Sequence, residues 1–157
     1  MGPLIVSFRA LGVAPKIYEA GQDFPQAFSD RWQGDQPLEG AYFYYDAMAL
    51  LAVAQGKADR GILFCSTGVG MSIGANNVRG DRAALASNAD AVCLTRAHND
   101  ANVLAIGARY TDETTAAEYV NLFLDTPFDG GRHARRLEKV AAIEAEEAAG
   151  AGCRSGS

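Results

Sequence analysis

Four short apolar runs, at residues 4–8, 61–65, 82–86 and 102–106, recur along the chain without clean alternation of polar and apolar positions. Runs of that length and continuity are expected of strands buried on both faces of a sheet. Stretches with helical periodicity lie between and after them. Residues 46–57 open on Asp46, a good N-cap, and carry "AMALLAVA". "SNADAVCLTRAH" has Ser87 or Asn88 as its cap, and "TDETTAAEYVNLFL" places acidic residues in a first turn, where the helix dipole favours them. "RRLEKVAAIEAEEAA" predicts a last helix, and "GAGCRSGS" predicts a frayed tail. Strand–helix alternation of this kind implies an α/β fold: one domain over residues 1–149, with a mostly parallel, doubly wound sheet, and a flexible tail over 150–157. Residues 21–40, with Phe24, Phe28 and Trp32 isolated among Gln, Asp, Pro and Gly, predict no element. "AYFYY" reads as a strand or as an aromatic lead into the following helix.

Composition narrows the partners. The net charge of −5 and pI near 5.0 argue against nucleic acid or an acidic membrane surface, since both reward a basic protein. Positive charge is local instead, at Arg132, Arg135 and Arg136. Cys65, Cys93 and Cys153 are too few and too scattered for a disulfide framework or a zinc site, and no metal or other cofactor is expected. Cys93 reads as packing and Cys153 as incidental. Neither a signal segment nor an apolar run of membrane-spanning length is present, so the cytoplasm is the expected compartment.

The stretch "FCSTGVGMSIGANN" holds the candidate chemistry. A dinucleotide fingerprint requires G-x-G-x-x-G, but Gly68, Gly70 and Gly74 are one residue too widely spaced at the third glycine. The P-loop lysine is also missing. What remains is a strand that delivers Cys65 to the carboxyl edge of a sheet, where doubly wound folds place ligands. The small residues after it let backbone N–H groups approach an anion, and a helix N-terminus adds favourable potential. The plainer alternative is that Cys65 is a small core hydrophobe and the glycines only make a turn. The only histidines are His98, in "RAHNDANVLAIGAR", and His133, in "GGRHARR". His98 ends a helical pattern before a buried strand and should reach a sheet edge. Arg132 and Arg136, spaced i, i+4, face one way and suit a bidentate phosphate clamp; the alternative is a solvated basic helix start.

Three segments in register carry a resemblance. "GILFCSTGVGMSIGANN", "RAHNDANVLAIGAR" and "DGGRHARRLEKVAAIE" closely resemble the ribose-5-phosphate isomerase B family, which includes galactose-6-phosphate isomerase subunits. The likeness runs from about Gly61 to Ile143. It implies a Rossmann-like three-layer domain, no metal, and a homodimer or homotetramer with active sites shared between subunits. It also implies aldose–ketose isomerisation of a phosphorylated sugar through a cis-enediolate. Carried over, Cys65 matches the base, His98 the residue that helps open the sugar ring, and Thr67 a hydroxyl that assists it. Backbone amides from Ser66 to Gly70, Gly68 included, match the enediolate cradle, with Asn99 as a side-chain donor. Arg132 and Arg136 match phosphate ligands reaching into a neighbouring subunit's site, and Arg109 matches a further basic contact.

The N-terminal third departs from that pattern. Arg9 and Ala10 stand where the family carries an Asp-His pair, and Arg9 is a candidate phosphate ligand in its stead. Ser66 replaces a glycine and Asn77 a lysine. These changes predict an altered substrate, such as a sugar phosphate too short to close a stable ring. The alternative from another class is a non-catalytic sugar-phosphate-binding module, or a partner subunit of a hetero-oligomeric isomerase.

Overall fold

The computed structural model describes residues 4–8, 16–18 and 51–152. Five strands, β1 (Leu4–Phe8), β2 (Lys16–Tyr18), β3 (Arg60–Cys65), β4 (Ala83–Leu85) and β5 (Val103–Gly107), form one sheet in the order β2-β1-β3-β5-β4. β1, β3, β5 and β4 are mutually parallel, and β2 pairs antiparallel on the outer edge of β1. Helices α1 (Val69–Asn76), α2 (Ala89–Asn99), α3 (Glu113–Asp125) and α4 (Arg132–Gly152) follow. The mostly parallel, helix-flanked sheet expected from the sequence is the one observed.

The continuous apolar runs are explained by what covers the sheet. Successive strand residues point to opposite faces. Ile62, Phe64, Leu104 and Ile106 pack on Val92 of α2 and on Ala116, Val120 and Phe123 of α3. Leu63, Cys65, Val103 and Ala105 pack on Met71 and Ala75 of α1 and on Ala52 and Val53. The central positions of β3 and β5, Ile62–Cys65 and Val103–Ile106, therefore all need apolar side chains, and each large one contributes roughly 1.5–3 kcal/mol by its burial.

Chain direction fixes which residues share an edge. Each of α1, α2 and α3 leaves the carboxyl edge of the sheet and returns to the amino edge. Asn88 caps α2 by accepting the Ala91 N–H at 2.8 Å, and Asp112 caps α3 by accepting the Thr115 N–H at 2.8 Å. Both caps lie at the carboxyl edge. There the loop after β3 bonds the turn after β5: Ala108 N–H to Cys65 O and Arg109 N–H to Ser66 O, each 2.9 Å. At the amino edge, Gly61 N–H donates to Asn102 O at 2.9 Å, and the Arg82 guanidinium donates to Asp100 O.

Details differ from expectation. α4 runs to Gly152, past the expected start of the tail at residue 150. The antiparallel β2 was not expected; a three-residue edge strand has too short a pattern to stand out. Residues 51–54 of the expected helix over 46–57 are helical. Residues 21–40, "AYFYY", Arg9 and Ala10 lie outside the described residues.

Candidate functional site

Cys65 ends β3 beside Gly107 of β5, with its side chain 5% exposed. The chain then turns sharply through Gly68, whose φ of 76° is left-handed and which caps α1 without any side-chain bond. The turn aims the Gly68 N–H at Cys65 Sγ, 3.0 Å away. Thr67 is half-buried, and its Oγ1 accepts the Val69 N–H at 3.4 Å. Ser66 and Gly70 are exposed, Gly70 in the first turn of α1. Arg109, on the turn after β5, is exposed and bonded through its backbone to Ser66. Thiol, hydroxyl, glycine amides and one guanidinium thus gather at the carboxyl edge. A helix start capped by glycine beside a sulfur is suited to holding developing negative charge. A cleft of about 620 Å³ adjoins this loop on its β4–β5 side, lined by Thr67, Val69, Leu85, Ser87, Gly107 and Thr111 among others.

The other sequence-predicted residues are elsewhere. His98 and Asn99 close α2, so they sit at the amino edge. Five strand steps of about 3.3 Å separate the two ends of β3, placing His98 roughly 16 Å from Cys65 along the sheet. The expectation that His98 reaches a sheet edge holds, but the edge is the one opposite Cys65. The segment before α4 docks beside it through Asp129 N–H to Ala97 O at 3.0 Å. Arg132 and Arg136 begin α4, both exposed. The turn holding His98 is fixed by a half-buried ion cluster centred on the buried Arg96: Arg96 Nη1 donates to Asp100 Oδ1 at 2.8 Å and to Ala101 O at 2.6 Å, and Arg82 Nη2 donates to Asp100 Oδ2 at 2.9 Å.

His133 was singled out in the sequence only as one of two histidines, and its placement gives it more weight. It is 7% exposed and stacks flat on His98, with ring centroids 4.1 Å apart. Burial, then His98, Arg132 and Arg136, hold its proton affinity below that of an ordinary imidazole, while Asp129 opposes them. Potential ligand atoms of His98, Asp129 and His133 lie within 4.8 Å of one another. Parallel rings direct their in-plane lone pairs side by side, so the trio does not converge on one ion without turning a ring. The adjacent pair of arginines favours an anion there instead. The one sequence signal for His133 was its place between Arg132 and Arg136.

Comparison with known proteins follows the same lines. The family model described as Ribose/Galactose Isomerase matches residues 34–140, more than half of the chain. Ribose-5-phosphate isomerase B of Escherichia coli is 46% identical over 103 residues, 66% of this chain and 69% of that protein. D-erythrulose-4-phosphate isomerase of Pectobacterium atrosepticum is 42% identical over 96 residues, 61% of this chain and 63% of that one. The solved ribose-5-phosphate isomerase B of Clostridium thermocellum superposes with a TM-score of 0.71 at 33% identity, covering 94% of this chain and 99% of that one. Sequence motifs, sheet topology and the glycine turn at Cys65 all agree with that match, and the chain belongs to the Ribose/Galactose Isomerase family.

Proposed function

We propose that the chain interconverts an aldose phosphate and its ketose through a cis-enediolate, with Cys65 as the base, in sites each built from two copies of the chain. The reaction class, aldose–ketose isomerisation of a phosphorylated sugar, is that of its family. The 3.0 Å bond from Gly68 N–H to Cys65 Sγ carries the assignment of the base. A thiolate accepts such a bond more strongly than a thiol, and the bond aims the sulfur at the carboxyl edge. The thiolate removes the C2 proton of the open-chain aldose. The C–H electron pair becomes the C1–C2 double bond, and the carbonyl electrons settle on O1. Amides from Ser66 to Gly70 stabilise that oxyanion. The O2 proton passes to O1, the C2 carbonyl forms, and Cys65 returns its proton to C1.

His98, assisted by Thr67, opens the sugar ring, and Asn99 donates to the enediolate. Arg132, Arg136 and Arg109 bind phosphate; Arg9 is assigned the same role on sequence alone. The separation of Cys65 and His98 on opposite edges supports a homodimer or homotetramer, in which the amino edge of one copy meets the carboxyl edge of another. The outer part of α4 also supports it, because Val140 and Ile143 share a face and are 48% and 59% exposed. No helix among the described residues is long and apolar enough to cross a membrane, in keeping with a cytoplasmic enzyme. The names of the two curated relatives support a pentose phosphate or a tetrose phosphate as substrate.

The test is proton exchange between C2 of the aldose phosphate and deuterated solvent. Cys65→Ala is expected to slow exchange by about 10²–10⁴-fold, the usual weight of a positioned base, while still binding the sugar phosphate. Exchange at the wild-type rate in that variant would remove Cys65 from the role. Binding without exchange in the wild type would favour a binding module.

A further inference from the structure

His98 and His133 form an aromatic pair with ring planes only 6° from parallel. Arg132 Nε donates to His133 Nε2 at 3.3 Å. A guanidinium has only donors, so that nitrogen holds a lone pair: His133 is neutral, with its proton on Nδ1. The charged and titratable groups facing it are His98 from α2, Arg132 and Arg136 from α4, and Asp129 from the segment before α4. Two stacked imidazolium rings would repel each other. A neutral ring beneath His98 adds no second charge to the stack. The chain on either side of His98 is already held by the Arg82–Asp100–Arg96 cluster, whose Arg96 and Asp100 lie two residues before and after it. What remains free is rotation of the His98 side chain, and the stack with a buried ring restricts that rotation.

We propose that His133 is a positioning residue for His98: a neutral, Arg132-tethered platform that holds the His98 imidazole in the orientation needed to pass a proton to the ring oxygen of a cyclic sugar phosphate. This rests on the reading that His98 serves ring opening. It assigns to His133 a contribution to one step only, with no part in the proton transfer at Cys65.

Two measurements on the full-length protein separate the steps. Turnover of ribose 5-phosphate begins from a furanose and needs ring opening. Exchange of the C1 proton of ribulose 5-phosphate with solvent does not, because O5 is esterified and the ketose stays open-chain. His98→Ala is expected to lower kcat/KM for ribose 5-phosphate at least tenfold more than it lowers exchange from ribulose 5-phosphate. An equal loss in both would overturn the ring-opening reading, and the platform with it. His133→Ala is expected to show the same selective loss, and His133→Phe, which keeps a stacking ring without nitrogens, to recover most of it. If His98→Ala is selective and His133→Ala is not, the platform is overturned while the reading of His98 stands. Equal loss of both activities in His133→Ala would also overturn it, since His133 would then serve the phosphate common to both substrates. Should His133→Ala fold poorly, His133→Phe decides alone: a selective loss as large as that of His98→Ala overturns the platform, and near-wild-type turnover supports it.

Discussion

Gly107 and Gly68 meet backbone to backbone where the loop after β3 crosses the end of β5. A Cβ at Gly107 would lie 2.7 Å from Thr67 O and 2.8 Å from Thr67 C, contacts that force the loop to move. Gly107→Ala is therefore expected to reduce kcat at least tenfold, since misplacing catalytic groups by even part of an ångström is costly, and about 1 Å can cost on the order of 10²-fold. The accompanying stability loss should be about 1–3 kcal/mol, as for other overpacking changes. Steady-state kinetics beside urea denaturation would separate the two effects, and an unchanged kcat would mean that the loop tolerates the displacement. Asp81 makes a different prediction. It is 3% exposed, neither carboxylate oxygen has a partner among the described residues, and burial, only partly opposed by Arg82, pushes its pKa up to about 7. The folded-state value thus lies above the ordinary carboxyl value of 3.8, so the folded protein holds a proton that the unfolded chain releases between those limits. Stability falls as pH rises through that window, at about 1.4 kcal/mol per pH unit for the single group. Asp81→Asn should remove this slope, and urea midpoints at pH 5 and pH 8 in both proteins check it. A wild type and variant with parallel pH dependence would contradict the assignment. Neither residue's consequence was legible in the sequence. Gly107 matters because of Thr67, forty positions earlier in the chain, and Asp81 stood in a polar, glycine-containing stretch that reads as a turn.

Individual elements were far more legible than contacts between them. β3 and β5 were visible because both faces of each strand are covered, which leaves a continuous apolar run rather than an ambiguous alternation. Helix starts were visible through local chemistry: Asn88 was one of two candidate caps and is the one used, bonding Ala91. Asp112 heads α3, accepting from the Thr115 backbone and hydroxyl, and these bonds hold its carboxyl below the usual range. A lowered folded-state pKa contributes stability above the unfolded value and loses it as pH falls through the folded one. Asp112→Ala should therefore lower the Tm at neutral pH, with the gap to wild type narrowing as acid protonates the native carboxylate. Scanning calorimetry at pH 7 and at successively lower pH would show it, and a gap independent of pH would assign the cap's effect to something other than its charge. The sequence did carry one unused signal at this scale. A helix between two parallel strands must return to the amino edge, so His98, at the end of α2, could not share an edge with Cys65.

On the proposed reading, that separation sets how the whole molecule works. With Cys65 at one edge of the sheet and His98 at the other, a site holding both needs two chains, each supplying one member of the pair. In a two-fold dimer each chain then serves in two sites, giving its Cys65 to one and its His98 to the other. Cys65→Ala and His98→Ala homodimers have no complete site. A mixed dimer gathers both lesions into one site and leaves its other site with two unaltered residues. Equal amounts of the two variants, unfolded together and allowed to reassociate at random, yield mixed dimers as half of the population. Half of their sites are intact, so activity on a cyclic sugar phosphate should return to about one quarter of the wild-type value. The same variants refolded separately and then assayed together should stay inactive until subunits exchange. Recovery well above the sum of the separate variants requires a shared site. No recovery, in samples where mixed dimers are verified by a mass or affinity tag on one variant, would mean that each chain works with its own residues. The division between the two edges would then have to be closed by rearrangement within a single chain, against the direction in which α2 runs.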